Sequence, residues 1–570
     1  MKKLFLIAMI LVGMYFPALN TQASTANQSL PQLLSPSIGE ATGVIYAVIE
    51  GQDEYVGAMG YADKGNEILA DPTKTAFRIG SISKTFVAIA VLQLVDQGLL
   101  DLHADITRYL PSEFHFRYPI TLHHLLTHTA GFEDLISGIV VMDEEALLPL
   151  HTSLLRYQPS QAFKPSSIVS YSNYGLALAG YIVERVSHMS LIEYSDRYIF
   201  EPLGMSNTSF DPSSYENPIS LAYDLDGNAR FEPIINLYPE GSVVSTAQDI
   251  LKYMRWCLQS DGGILSVESK EKLFSPQYVS STEFLGVSYT WNLHLNNGHR
   301  VIEKRGETGN FNSQIVLLPE DNTAVFLSFN SPLAWKQIHS IVDDFLAPIL
   351  SSSVSSDSLP PTVSLDISGT YRAARSNFTT IEKLYSFLIP ERTIAISGDV
   401  YAGFKMNGEP MTNIGRNFYT STLGNVKFIE KDNEMVLLTD SALSYVQVSS
   451  VEKPIWQWIA VVSYLLLSVV LVLLSIRSIW KTRHLRMLDV YAFATFIFVV
   501  GLVNCLNTAI SSYNLIQHSS SIHFYAMSAL FSSIAFMIAL LIKHKFLLAG
   551  STMIVTSGFL FFCYINNLFY

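Results

Sequence analysis

Four apolar runs near the C-terminal end set the strongest limit on what this chain can fold into: Ile455–Ile476, Val490–Ile510, Ile522–Ile542 and Phe546–Ile565. Each is close to the ~20 residues that carry a helix across a bilayer. The loops between them differ in charge. "RSIWKTRHLRM" after the first run holds Arg477, Lys481, Arg483 and Arg486, and "KHK" follows the third. "SSYNLIQHSSS" after the second has no Lys or Arg. Basic loops stay on the cytoplasmic side. The first and third loops are therefore expected to face in, and everything before Ile455 to face out. Trp456 and Trp458 then fall at the outer interface. No Asp or Glu lies deep in the runs, since Asp489 sits at an edge. They read as an anchor rather than as an ion or proton path.

The other end of the chain agrees. "MKKLFLIAMILVGMYFPALNTQAS" has two lysines, a short apolar core and a small-residue end, which reads as a secretory signal (residues 1–23) cleaved after Ala23. A length of 570 residues calls for several folded units. Hydrophobic content of 49% with only 15% charged residues fits a chain partly in lipid. A net charge of -13 argues against nucleic acid as the partner, because phosphate binding needs a basic surface. Cys257 is the sole cysteine before the apolar runs, so no disulfide can form there, and no Cys/His zinc pattern is present. It reads as a small buried hydrophobe. No metal or cofactor is expected.

"SSSVSSDSLPPTV", Ser351–Val363, is a Ser/Pro linker. After it, residues 364–451 alternate short strand-like runs with turns, such as "RTIAISGDVYAGFKMNG" and "NVKFIEKDNEMVLLTD". They read as a small all-β domain with no catalytic cluster, hence a spacer or lid, ahead of a membrane domain over residues 452–570. The large unit spans Ser24–Leu350. It opens with the strand-like "GVIYAVIEG" and "EYVGAMGYA". A helix is expected from about Ser81 to Gln97, with Gly98 just past its end. Helical patterns fill the middle ("ITLHHLLTH", "NYGLALAGYIVERV", "TAQDILKYMRWCL"), and strands return with "RVIEKRGETG" and "QIVLLP". Strands at both ends around a helical middle predict one antiparallel sheet carrying helices, an α+β arrangement.

Within that unit, "FRIGSISKTF" places Ser81 three residues before Lys84. On a helix the two share a face. At a helix start, free backbone N–H groups would favour negative charge on the serine oxygen. A lysine amine can take a proton once desolvation disfavours its charged form. The bland reading makes Ser81 an N-cap and Lys84 a solvated first-turn residue, and the spacing alone does not separate the two.

The flanking segments do. "FRIGSISKTFVAIAVLQLVDQGLLDL", "ITLHHLLTHTAGF", "SYSNYGLALAGYIVE", "IFEPLGMSNTSF" and "PEGSVVSTAQDI" occur in order between about Gly43 and Asn330. Together they resemble the class C β-lactamase and D-alanyl-D-alanine carboxypeptidase family of serine hydrolases. The resemblance implies a β-lactamase/transpeptidase-like fold. It implies Ser81 as nucleophile, with Lys84 and Tyr171 sharing the acid–base work. Asn173 would orient Lys84 or the substrate amide. The backbone N–H groups of Ser81 and Asn310 would form the oxyanion hole, and an acyl-enzyme would form.

One motif departs from the family. Where the family has His or Lys, then a residue such as Thr, then Gly, this chain has "GETGN": Glu307, Thr308, Gly309 and Asn310. A cation there greets a substrate carboxylate; Glu307 would repel one and welcome an amine. "KPSS", Lys164–Ser167, replaces a frequent Pro-Gly. His124 and His128 lie at i and i+4 without the HExxH glutamate, and read as structural. The resemblance implies a serine hydrolase acting on D-amino-acid-containing peptides, such as cell-wall stems, and the apolar runs and loop charges make it membrane-anchored and extracytoplasmic. Three other readings use the same residues: an esterase of the same fold, a peptidase trimming acyl-D-amino-acid caps from prodrugs, and a non-catalytic binder of wall peptides or partner proteins.

Overall fold

A computed structural model describes residues 29–351 and 365–565, apart from short gaps of which 384–391 and 512–518 are the longest. The expected signal segment, and the linker beyond Ser351, lie outside the described residues. The centre of the large unit is an eight-stranded antiparallel sheet. Its two halves come from opposite ends of the unit. Gly43–Glu50 pairs with Asp53–Asp63 on one side and Thr323–Phe329 on the other, with Val44 opposite Phe329. Asn312–Leu318 and then His299–Glu307 continue outward. Asn312–Leu318 and Thr323–Phe329 are buried at every residue, which requires cover on both faces. One face packs on the helical middle through Ile45, Ala47, Ile315 and Phe326. The other is covered by the helices Leu30–Leu34 and Trp335–Leu350 through Leu34, Ile338 and Val342.

The helix after Ser81 departs from expectation at its start. Gly80–Ile82 is a 3₁₀ turn, and the α-helix runs Ser83–Asp96. Ser83, not Ser81, ties the turn down: its hydroxyl donates to the Gly80 carbonyl (2.6 Å) and accepts from the Val243 N–H (3.1 Å). Ser81 is thereby left out of capping. Residues Ser83 to Leu94 are all buried. A helix apolar all round belongs in the centre of a domain, and this one anchors the turn that precedes it. Gly98, at φ +71°, follows the helix end as expected.

The C-terminal β domain is a nine-stranded antiparallel sheet, with Gly369–Ala373 between Thr393–Asp399 and Ser444–Val448. Its core gathers Tyr371, Ile396, Phe404, Tyr419, Phe428 and Leu437. Downstream, the four apolar runs form helices: Pro454–Thr482, Met487–Ser511, Ser519–Ile542 and Phe546–Ile565. Among the described residues three, not the expected four, are long and apolar enough to cross a membrane.

Candidate active site

The site is built where the 3₁₀ turn meets the end of the strand His299–Glu307. The approach is close enough to demand glycine on both sides. A β-carbon on Gly306 would stand 1.9 Å from the Ile79 carbonyl oxygen and 3.2 Å from the Ser81 nitrogen. One on Gly80, whose φ is +50°, would stand 2.6 Å from the Glu307 nitrogen. Only hydrogen at both positions lets the strand lie against the serine turn.

Lys84 is fully buried and donates to Ser81 Oγ at 2.8 Å. Its other contacts are the carbonyl oxygen (2.5 Å) and Oε2 (2.6 Å) of Glu240, a carboxylate that sequence reasoning did not single out. An ammonium has three protons, and three acceptors use them all. Lys84 therefore holds Ser81 as a donor. Glu240 is itself buried, so its charge is matched at short range in a dry setting. It lies inside "PEGSVVSTAQDI", and the only cue in the sequence is a carboxylate beside a glycine in a segment that resembles the family.

Tyr171 presents its ring to this pair, with Lys84 Nζ 5.2 Å from the ring centre. His128, at φ +57°, stacks on the same ring with centres 4.2 Å apart and a 30° tilt. Its Nδ1 accepts from the Ser172 N–H at 3.2 Å. Burial first, then the positive charges of Lys304, Lys84 and Arg375, hold the imidazole well below its usual range, so it is neutral. The histidine read as structural thus sets the plane of the tyrosine. His124 Nε2 pairs with Ser166 Oγ at 3.0 Å, and Ser166, at φ +62°, takes the left-handed conformation that the replaced glycine would accept freely.

Asn173 starts the helix Asn173–Ser187, and its Oδ1 is buried without a hydrogen bond among the described residues. The "GETGN" residues part company. Glu307 ends its strand and brings its backbone to Gly80. Thr308, Gly309 and Asn310 form the hairpin turn, where Glu232 accepts from the Gly309 N–H (2.8 Å) and Asn310 Nδ2 (3.0 Å). The backbone brought against Ser81 is thus that of Gly306 and Glu307.

Two further cations stand near Tyr171. Lys304 is buried on the same strand as Glu307, 5.3 Å from the ring centre, and donates to the Thr290 carbonyl at 2.6 Å. Burial, reinforced by Lys84 and Arg375, pushes its amine well below the usual lysine range. Arg375 comes from the β domain and lies over the ring at 4.7 Å. A cavity of about 660 Å³ separates parts of the two domains elsewhere, lined by Phe132, Gln161, Arg372 and Phe378 among others; Ser81 is not among its walls.

Comparison with known proteins agrees with this arrangement. The family model described as Beta-lactamase matches residues 32–336, more than half of the chain. PbpX of Bacillus subtilis (strain 168), named as a penicillin-binding protein, is 29% identical over 246 residues, covering 42% of this chain and 60% of that protein. Protein flp of Staphylococcus aureus (strain N315) is 27% identical over 284 residues, covering 48% and 56%. The chain thus spans somewhat over half the length of these curated relatives. Among solved structures, the octameric penicillin-binding protein homologue from Pyrococcus abyssi matches with a TM-score of 0.50 at 21% identity. That match covers 74% of this chain and all of that one, a likeness of fold. The chain belongs to the β-lactamase family of serine hydrolases.

Proposed function

We propose that the protein is a membrane-anchored, extracytoplasmic acyl-transfer hydrolase in which Ser81 attacks the carbonyl carbon of a peptide or related acyl substrate. The observation that carries this reading is the hydrogen-bonded chain from Ser81 to the buried Lys84 and Glu240, set beside Tyr171. Lys84 spends its protons on three oxygens, which assigns it to holding and polarising Ser81. Tyr171 is then the group that receives the serine proton and returns it to the leaving group. Receiving that proton requires Tyr171 to enter as the phenolate, a charge favoured by the cations Lys84 and Arg375, 5.2 and 4.7 Å from its ring centre. The Ser81 N–H at the 3₁₀ turn is one donor for the oxyanion; the neighbouring Gly306–Glu307 backbone is the place to seek the second. Water then releases the acyl group.

The resemblance of the Ser81 and Tyr171 segments to D-alanyl-D-alanine carboxypeptidases supports D-amino-acid-containing peptides as the substrate class. The outward orientation rests on the basic first and third loops between the apolar helices.

The test is covalent labelling of the full-length protein in detergent with a fluorescent fluorophosphonate, followed by mass mapping of the adduct. Label is expected on the peptide holding Ser81 and absent in Ser81→Ala. A wild-type protein that labels no better than Ser81→Ala would sink the hydrolase reading.

A further inference from the structure

We infer that Arg375, carried by the C-terminal β domain, is the carboxylate-recognising residue of the acyl-transfer site and takes the place of the cation missing at Glu307. The inference rests on the hydrolase reading above and names the substrate class of that same site.

The backbone around Arg375 is fastened to the hydrolase unit on both sides. Before it, the Ala374 carbonyl accepts from Ser170 Oγ (3.1 Å), the residue next to Tyr171. After it, the Ser376 carbonyl accepts from the Asp134 N–H (3.0 Å), and Glu133 Oε2 accepts from the N–H groups of Phe378 (2.6 Å) and Thr379 (2.9 Å). The Arg375 carbonyl itself accepts from the Arg392 guanidinium. An arginine held this way, with its guanidinium stacked on Tyr171, is a fixed part of the cleft.

Charge and access single it out. Asp134 is shared by two guanidiniums, Arg375 through Nε at 3.5 Å and Arg392 at 3.0 Å. One carboxylate facing two fixed cations leaves a positive charge over. The Arg392 side chain is 17% exposed and that of Arg375 41%, so the surplus charge meets solvent at Arg375. The other basic groups around Tyr171 are committed. Lys84 is fully buried on Ser81 and Glu240, and Lys304 is buried on the Thr290 carbonyl. Among the described residues, an incoming carboxylate near Tyr171 therefore finds one accessible cation, and its planar donor fork suits a carboxylate. Glu307 acts on Arg375 through space, along with Asp134, Tyr171 and Glu240. These negative groups leave the guanidinium protonated, so Glu307 does not make the cleft purely acidic.

Two fluorophosphonates of equal length decide the matter, one ending in a free carboxylate and the other in its methyl ester. Both label the same serine, so the acid-to-ester ratio of labelling rates cancels general effects on Ser81. The full-length wild type is expected to favour the acid about tenfold or more, as a charge-assisted contact supplies. In Arg375→Gln the ratio is expected to fall to about one, with Arg375→Lys between. A wild-type ratio near one, or an Arg375→Gln ratio equal to the wild type's, overturns the assignment. If Arg375→Gln loses its melting transition, Arg375→Lys decides: an unchanged ratio there overturns it. A wild type labelled by neither probe is a different failure. It removes the hydrolase reading and the arginine with it, whereas a labelled Ser81 with no preference removes the arginine alone.

Discussion

Lys84 and Glu240 form the buried ion pair behind Ser81. Both are buried, and each is the other's only opposite charge within a salt-bridge distance among the described residues. Removing one partner leaves the other charge buried and unmatched, which costs about 3–5 kcal/mol. Glu240→Gln is therefore expected to lower the melting temperature by several degrees and to slow Ser81 labelling by roughly a hundredfold, as Lys84 loses the charge that holds it on Ser81. Pairing it with Lys84→Met should restore much of the stability and none of the labelling. Additive losses in melting temperature would show that the two residues do not act as a pair. Ser81, Lys84 and Tyr171 could be found from the sequence because they lie in short segments with recognisable neighbours. Glu240 and Lys304 could not, because a carboxylate in a loop or a lysine on a strand gains its meaning from what folds against it. Arg375 lies in another domain, and no local pattern could bring it to Tyr171.

At the scale of elements, the β domain is latched to the hydrolase unit by reciprocal carboxylate–amide contacts. Glu133 accepts from Phe378 and Thr379, and Glu382 from the N–H groups of Ile136 (2.6 Å) and Ser137 (2.7 Å). Burial pushes Glu382 up to about 7 from an ordinary 4.5, against the pull of those donors, and burial raises Glu133 as well. Asp134 moves the other way. Burial alone would raise it, but Arg375 and Arg392 outweigh that and hold it below its ordinary 3.8. The signs follow from linkage. A raised docked value contributes stability that is fully present below the free value and is lost as pH rises through the docked one. A depressed value contributes stability that is lost as pH falls below the free one. Docking is therefore strongest near pH 4 to 5 and weakens toward about 8. Hydrogen exchange at the Ile136, Ser137 and Phe378 amides, corrected for intrinsic rates, should show protection falling over that rise. Glu382→Gln should flatten much of it, and protection that rises with pH in the wild type would contradict the latch. The sequence reading of this domain as a spacer or lid saw its strands but not its attachment, since the binding groups are scattered acids and backbone amides without periodicity.

At the scale of the whole molecule, the hydrolase unit, the β domain and the helical bundle meet around residues 133–137. Ile136, whose N–H binds Glu382, also packs against the bundle cluster that includes Tyr464 and Val499. The orientation drawn from loop charge makes a direct prediction. Lys481→Cys, in the basic first loop, should react with a membrane-impermeant maleimide only after the membrane is opened; labelling of intact cells would invert the topology. The sequence by itself determined the apolar helices, the strands at the two ends of the hydrolase unit and the segment that carries Ser81 and Lys84. Each of these rests on local periodicity or on a short ordered motif, which the chain carries without reference to its fold. Tertiary structure alone decided that Ser81 stands free of the helix cap, that Lys84 is matched by Glu240, and that a β-domain arginine reaches Tyr171. Those are meetings of residues far apart in the chain, settled by which buried charges can find partners once the core has closed.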